Sequence, residues 1–315
     1  MWAFLFLWGI LTCVTFLLVL GRCTGLIYIV FCTPIALTFL YFIFKNDTYY
    51  SNDNTVEFFT NFRVGGHRGS PVHAPENTIE SFKKAKEEGC QLVEFDIHMS
   101  ADGIPLLMHD ETTGRTGKTN IVISSTPWKD IERVQLNQVN GVSANDMKND
   151  NLKLILKVAE EIGSRRIYNK VMVSSFNPMI PYRLKKIDPK IITGLTLDRS
   201  YYSFSDDERK KPFTVNVFYH WFNEVLDEIN MLVSPTYILP RFLGVDVLML
   251  SYKLISENIV RESHEKGFSV IAWTVNDKDY MKLVTKLRVP FLTDVAYEVR
   301  SQDLNAGSSE IVVSS

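Results

Sequence analysis

The sequence predicts an α/β fold of the TIM-type (β/α) barrel class, preceded by N-terminal transmembrane helices. After the first 60 residues, apolar runs of strand length alternate with helical stretches, which indicates a parallel sheet. Polar side chains gather at the carboxyl ends of several runs, where a barrel carries its active site. By contrast, the first 44 residues are apolar and contain one charged side chain, Arg22. A doubly wound open sheet is the alternative for the polar part of the chain.

The N-terminus consists of two apolar runs, 2–20 and 26–44, each close to the ~20 residues that a spanning helix needs. We therefore predict that 1–44 is a membrane anchor with two transmembrane helices. That makes the chain an integral, multi-pass protein of the plasma membrane or endoplasmic reticulum. One helix with an interfacial segment and a cleaved signal peptide are the alternatives, although the first run lacks a positive start. Arg22 and Lys45 flank the second run, so the charges leave the orientation open.

The rest of the chain divides by composition. Residues 45–60 are polar and predict a linker, 61–300 predict one barrel domain, and 301–315 predict a flexible tail. Residues 198–244 depart from the strand–helix rhythm and predict an insertion in the barrel. Within this insertion, apolar residues recur at helical spacing over 214–233. This pattern fits either a helix packed on the barrel or an interfacial helix lying on the bilayer.

Charge and cysteine content exclude several classes of protein. The formal net charge of -2 gives no basic excess, so nothing points to a nucleic acid partner. Cys90 is the one cysteine outside the apolar N-terminus, which rules out a disulfide or a cysteine metal site within the barrel domain.

The elements of the barrel domain follow in order from local signals. Residues 63–66 predict the first strand, and Asn77 is expected to cap a helix with Glu80 as its capping-box partner. Residues 91–99 and 104–108 predict the next two strands, joined by an Asp-Gly turn. The later predicted strands are 170–176, 191–197, 245–250, 268–275 and 290–293, and helices are predicted at 128–136, 152–162 and 256–266.

A glycine-flanked His-Arg pair follows the first predicted strand. The neighbouring glycines would let a phosphate approach the backbone closely. Arg68 offers a planar fork of donors for phosphate oxygens, and His67 can carry a proton near neutral pH. The alternative is a structural His-Arg pair in a loop.

Two carboxylates lie within the second predicted strand, after its first apolar residues. Glu94 and Asp96 are two residues apart, so their side chains share one face of the strand and repel each other unless a cation lies between them. Oxygen ligands alone favour Mg²⁺ or Ca²⁺. The alternative is an exposed, charged strand face.

A second histidine completes a set of reactive groups. His109 follows the third predicted strand and is a second candidate proton carrier, unless it is an ordinary loop histidine. An acid, a base, an anion clamp and cation ligands are together what metal-assisted cleavage of a phosphodiester requires.

These motifs resemble those of the glycerophosphodiester phosphodiesterase family, and the apolar N-terminus resembles that of a membrane-bound animal member. The resemblance covers roughly 60–136 and 152–296. It rests on the motifs at 64–69, 74–78, 94–96, 102–110, 272–276 and 292–294.

The resemblance implies a TIM barrel that hydrolyses glycerophosphodiesters, or lysophospholipids in some members, with Mg²⁺ or Ca²⁺ as cofactor. The products would be an alcohol plus glycerol 3-phosphate or lysophosphatidic acid. By position, the implied general acid–base pair is His67 and His109, the metal ligands are Glu94 and Asp96, and the substrate-binding residues are Arg68, Glu76 and Trp273.

The chain departs from the family pattern at 137–151. Family members have a strand here that supplies a third metal ligand and a lysine, whereas this segment is polar, and Asp146 and Asp150 do not stand at a predicted strand end. The chain therefore resembles the family with one strand–helix unit missing. Gly114 also stands where an aspartate is usual. These departures predict a weakened cation site and low activity, and the rival prediction is a catalytically impaired or inactive membrane protein that binds phosphodiesters or a protein partner.

Overall fold

The computed structural model describes residues 8–16, 24–46, 53–60, 62–136, 152–199, 202–204, 212, 214–233 and 237–303. The strands are β1 (Val64–Gly66), β2 (Leu92–Val93), β3 (Ile97–Met99), β4 (Pro105–Leu107), β5 (Met172–Ser175), β6 (Ile192–Leu197), β7 (Val247–Ser251), β8 (Ser269–Trp273) and β9 (Phe291–Thr293). The helices are α1 (8–16), α2 (Thr24–Phe44), α3 (Asp53–Thr60), α4 (Ile79–Glu87), α5 (Trp128–Ile131), α6 (Leu152–Arg165), α7 (Met179–Ile187), α8 (Val217–Val233), α9 (Ile238–Leu243), α10 (Glu257–Glu265), α11 (Lys278–Lys286) and α12 (Ala296–Asp303).

A seven-stranded parallel sheet forms the centre of the fold. Its strands run in the order β2-β1-β9-β8-β7-β6-β5, and β3 and β4 form a separate antiparallel pair. Among the described residues, β2 and β5 are the two edges of this half-barrel. A barrel that lacks one strand between β2 and β5 would have this order. The predicted TIM-type α/β fold is thus confirmed at the level of a half-barrel, and the departure predicted at 137–151 lies outside the described residues.

The sheet is buried on both faces, as a parallel sheet covered by helices must be. Every residue of β6 and of β7 is buried. One set of side chains, including Leu195 and Leu248, packs with residues of α10 and α11 such as Val260 and Met281. The strand side chains on the opposite face form a second core cluster together with two phenylalanines that precede β1. Its members are Phe58, Phe62, Ile192, Val247, Met249, Ile271 and Leu292.

Helix α3 occupies part of the segment that the sequence predicts as a linker. Its Phe58 is buried and meets the ring of Phe62 at 5.8 Å. Both rings are part of the second core cluster. Residues 53–60 therefore form a helix that contributes a buried ring to the core.

Helix α4 begins one residue later than predicted. Thr78 is the N-cap, and its Oγ1 accepts a hydrogen bond from Ser81 N at 3.1 Å. Asn77 instead has a positive φ of 58°, a conformation that asparagine tolerates better than most residues. Its side chain is thereby free for the contacts with Asp96 that are described below.

The membrane prediction requires correction. Within the described residues, no helix combines the length and apolar character needed to cross a membrane. Helix α1 is described over 8–16 alone, and the side chains of α2 are described only from Cys32 onward. The prediction of transmembrane helices in 1–44, and with it that of an integral, multi-pass protein of the plasma membrane or endoplasmic reticulum, is therefore wrong for the part that the structure describes. The end of α2 instead meets the barrel, where Asn46 Nδ2 donates to Leu243 O at 2.7 Å.

The predicted insertion contains helices α8 and α9. The N-terminal half of α8 exposes apolar side chains such as Phe218 and Trp221. Further along α8, Asp227 is buried and accepts hydrogen bonds from the backbone N–H groups of Tyr202 and Ser203. This carboxylate fixes the helix to the segment that precedes it.

Cys90 is expected to be chemically inert in the folded protein. Burial, and next the charge of Glu88, raise the pKa of the Cys90 thiol to about 12. Because the thiolate is the reactive form, alkylation by iodoacetamide at pH 8 should be slower by ~100-fold or more than in urea. Mass spectrometry of labelled peptides would measure this, with the exposed Cys13 and Cys32 as internal controls. Labelling of Cys90 as fast as that of Cys13 would contradict the expectation.

Candidate active site

The candidate site lies at the carboxyl ends of the parallel strands. His67 follows β1, Glu94 follows β2 and Asp294 follows β9. His67 N donates to Thr293 O at 3.0 Å and Glu94 N donates to Gly66 O at 2.9 Å, so the sheet ladder continues into the site residues. Neighbouring strand ends thus bring together residues that are far apart in sequence.

A tight turn after β1 sets the direction of Arg68. A Cβ on Gly66 would lie 2.2 Å from Gly69 O, so only glycine fits there. Arg68 itself has a positive φ of 56°. A turn of this kind costs conformational energy that the surrounding contacts must offset.

Arg68 joins three carboxylates. Its backbone N donates to Glu94 Oε2 at 3.1 Å, and its NH1 donates to Glu76 Oε1 at 3.2 Å. Its Nε lies 3.4 Å from Asp96 Oδ2. The structure therefore brings four of the predicted site residues into direct contact.

The two strand-end carboxylates differ in proton affinity. Burial, followed by the charge of Asp96, raises the pKa of Glu94. Burial also acts to raise the pKa of Asp96, but Arg68 and further partners outweigh it and the net pKa is lowered. One partner is Asn77, whose Nδ2 donates to Asp96 Oδ2 at 3.0 Å and whose Oδ1 accepts from Asp96 N at 3.1 Å. The ionised form is therefore favoured at Asp96 and disfavoured at Glu94.

His67 is held by a carboxylate that is distant in sequence but follows the neighbouring strand, β9. Its Nδ1 lies 2.8 Å from Asp294 Oδ1, and Asn276 Nδ2 donates to Asp294 Oδ2 at 2.6 Å. Burial and Arg68 lower the pKa of His67, but the hydrogen bond and charge of Asp294, with Glu94, outweigh them and the net pKa is raised. Since an ionised carboxylate only accepts, we place the hydrogen on Nδ1, which leaves Nε2 available for proton transfer.

His109 has a matching carboxylate partner. Its Nδ1 lies 2.8 Å from Oδ1 of the adjacent Asp110. Burial opposes the effect, but the hydrogen bonds from His109 and Arg115 bring the pKa of Asp110 down to about 2. Asp110 is therefore ionised near neutral pH, and Nε2 is the free nitrogen of this second ring as well.

Arg115 links the His109 pair to the residues around Arg68. Its guanidinium donates to both oxygens of Asp110, at 2.7 and 2.9 Å, and to both oxygens of Glu76, at 2.6 Å each. Burial opposes but does not cancel the effect of Arg115 and Arg68, and the pKa of Glu76 is lowered. Glu76 is thus an ionised link between the two arginines.

A glycerophosphoryl diester phosphodiesterase family model matches residues 67–295 of the chain, which include every charged side chain of the site described above. The chain belongs to this family. Its homologues and its fold are those of glycerophosphodiester phosphodiesterases, which are enzymes. The family predicted from the motifs around His67, Glu94 and His109 is confirmed.

Two related proteins match over most of the chain, and a third matches over a short segment. The rat and human proteins named glycerophosphodiester phosphodiesterase 1 are each 27% identical to it, over 268 and 266 residues, which is 74% of this chain and 77% of theirs. Human glycerophosphoinositol inositolphosphodiesterase is 52% identical over 77 residues, covering 22% of this chain and 14% of that protein.

Solved structures share the fold. A glycerophosphoryl diester phosphodiesterase from Silicibacter pomeroyi superposes with a TM-score of 0.58 at 16% identity, covering 80% of this chain and 96% of that one. A phosphodiesterase from Oleispira antarctica, in complex with the product sn-glycerol-3-phosphate, gives 0.55 at 19% identity, with 78% and 98% covered.

Trp273, a predicted substrate-binding residue, ends β8. Its Nε1 donates to Met249 O at 3.1 Å, and its ring meets Phe176 edge-on at 5.2 Å. The next residue, Thr274, has its Oγ1 3.5 Å from His67 Nδ1. The indole thus packs against Phe176 and β7, and the residue that follows it contacts His67.

Sequence reasoning missed four residues of the candidate site, namely Asn77, Asp110, Arg115 and Asp294. Asp110 and Asp294 stand within the quoted motifs, so their signal was present but unassigned. Asn77 was interpreted as a helix cap, and Arg115 follows a glycine where the family pattern is altered. Only their contacts in the fold identify these two.

Proposed function

We propose that the chain hydrolyses glycerophosphodiesters to an alcohol and glycerol 3-phosphate, with His67 and His109 as the proton carriers. The observation that carries this proposal is the pairing of each histidine with a carboxylate, by way of Nδ1 in both cases. One such group can take a proton from the nucleophile while the other gives one to the leaving oxygen. We assign this chemistry to residues 61–300 as one catalytic domain, with 198–244 as an insertion.

Arg68 and its neighbours would bind the phosphate. The side chain of Arg68 already contacts Glu76 and Asp96, and its fork of donors matches phosphate oxygens. Glu76 would hold the fork in place from one side. Trp273 would contact the glycerol portion, because it ends β8 and the next residue, Thr274, reaches His67.

Glu94 and Asp96 suit a divalent cation as ligands. Both carboxylates are half-buried. Burial and the neighbouring charge of Asp96 raise the pKa of Glu94, so a cation between the two carboxylates would stabilise their ionised forms. Mg²⁺ is commonly bound by one or two carboxylates together with substrate phosphates, and Ca²⁺ also takes oxygen ligands. When bound, the ion would neutralise charge on the phosphoryl oxygens. Among the described residues, no group of three or more His, Cys, Asp or Glu side chains is placed to hold a metal.

This small ligand set supports the rival function, a catalytically impaired or inactive protein that binds phosphodiesters. Two protein carboxylates hold a cation less firmly than three would. Lysophospholipids, which share the phosphodiester, are the second substrate class that we propose, with lysophosphatidic acid as product.

The test is hydrolysis by the purified full chain with and without a chelator. We expect glycerol 3-phosphate to be released from glycerophosphoinositol in Mg²⁺ or Ca²⁺, and EDTA to lower the rate by ~100-fold or more, since a bound cation contributes several kcal/mol. Glu94→Gln should behave like the chelated enzyme, and Glu161→Gln, on the exposed face of α6, should not. Turnover that persists in EDTA would contradict the metal assignment, and calorimetric binding of glycerophosphoinositol without turnover would favour the rival function.

A further inference from the structure

Arg115 forms hydrogen bonds both with the carboxylate that contacts His109 and with the carboxylate that contacts Arg68. Its guanidinium makes four hydrogen bonds of 2.6–2.9 Å, shared equally between Asp110 and Glu76. Asp110 in turn contacts His109, and Glu76 contacts Arg68.

We propose that Arg115 is a positioning residue that fixes the ring of His109 through Asp110 and the fork of Arg68 through Glu76. The inference rests on the proposed function, since it assigns those two residues their roles. A planar fork is needed for this task, because each of the two carboxylates is held by two hydrogen bonds in one plane. A lysine would supply the charge but not this geometry.

The charge balance of the site supports the same role. The carboxylates of Glu76 and Asp110 are both mostly buried and both ionised. Without Arg115, Asp110 would be held by His109 and Glu76 by Arg68, each through a single hydrogen bond. Each carboxylate could then rotate, and the group it holds would rotate with it.

The loop around Arg115 is itself constrained. Gly117 N donates to Thr113 O at 2.6 Å, and Thr113 Oγ1 donates to Thr119 O at 2.6 Å. A Cβ on Gly114 would lie 2.7 Å from Asn120 Oδ1, so the residue before Arg115 has little space. The backbone therefore presents the guanidinium in a fixed position between the two carboxylates.

The kinetic test is a double-mutant cycle. Arg115→Met should lower kcat by about 100-fold, since small displacements of reacting groups have effects of that size. In a His109→Ala background the same change should lower kcat by about tenfold or less, because the part that acts through His109 is already lost and only the part that acts through Arg68 remains. Arg115→Lys should fall between wild type and Arg115→Met, and Arg165→Met, which removes an exposed arginine of α6, should match wild type. Equal losses in both backgrounds, or no loss, would overturn the proposal.

A spectroscopic readout does not depend on turnover. In ¹⁵N-histidine-labelled protein, His109 should show the tautomer with hydrogen on Nδ1, and Arg115→Met should remove this preference while Arg165→Met leaves it. The His109→Ala spectrum assigns the signal. An unchanged His109 signal in Arg115→Met overturns the positioning role even if the wild-type protein hydrolyses nothing, whereas a lost preference in an inactive protein supports it and leaves the proposed function as the part that failed. Arg115→Lys serves for the same comparison if Arg115→Met does not fold.

Discussion

His67→Ala is expected to lower kcat for glycerophosphodiester hydrolysis by about 10³-fold, because a positioned acid or base contributes 10²- to 10⁴-fold. His67 is the residue whose Nδ1 is fixed by Asp294 and whose free nitrogen is left for proton transfer. The KM should change little, since the phosphate contacts that we propose are made by Arg68. Steady-state kinetics on glycerophosphoinositol, with circular dichroism to establish that the variant folds, would measure both parameters.

The matched control is His264→Ala. His264 lies in the last turn of α10 and is exposed. Its removal should leave kcat at the wild-type value. A His67→Ala protein that keeps its fold and retains more than about a tenth of wild-type kcat would contradict the role of this histidine, because that loss is below the range for acid–base catalysis.

The sequence identified the residues at the strand ends because position on a strand determines where they lie. His67, Arg68, Glu94 and Asp96 each follow an apolar run, and parallel strands end at the same edge of the sheet. Their convergence around Arg68 could therefore be predicted without coordinates.

The partners of these residues could not be predicted in the same way. Asp294 is 227 positions from His67, and Arg115 reaches Glu76 across 39 positions. No local period or cap links such pairs, because their contact depends on how strand ends and loops pack in three dimensions. The transmembrane prediction for 1–44 was wrong for a related reason. Composition alone does not show that Asn46, just after α2, contacts the barrel.

The largest expected effect on stability lies at the opposite end of the sheet from the site. Lys185 of α7 and Asp246, which precedes β7, form an ion pair of 2.7 Å with side chains 2% and 5% exposed. Asp246 Oδ2 also accepts from Thr193 N at 2.8 Å, and Lys185 Nζ donates to Pro189 O at 3.1 Å. Lys185→Met should lower the free energy of unfolding by about 3–5 kcal/mol, because it leaves a buried carboxylate without its cation. Urea unfolding followed by circular dichroism would measure the loss.

The pH dependence and a second substitution separate this electrostatic cause from lost packing. Burial already raises the pKa of Asp246 despite Lys185, and removing Lys185 should raise it further. A carboxyl with a raised folded pKa takes up a proton more readily when folded than when unfolded. The deficit of Lys185→Met should therefore be largest above that pKa and shrink as the pH falls through it. Adding Asp246→Asn should restore much of the stability near neutral pH, since the amide oxygen still accepts from Thr193. A loss that is the same at pH 5 and pH 8, and that Asp246→Asn does not reduce, would identify packing as the cause instead. In either case the kcat per folded molecule should stay at the wild-type value, because neither residue contacts the strand ends that carry the site.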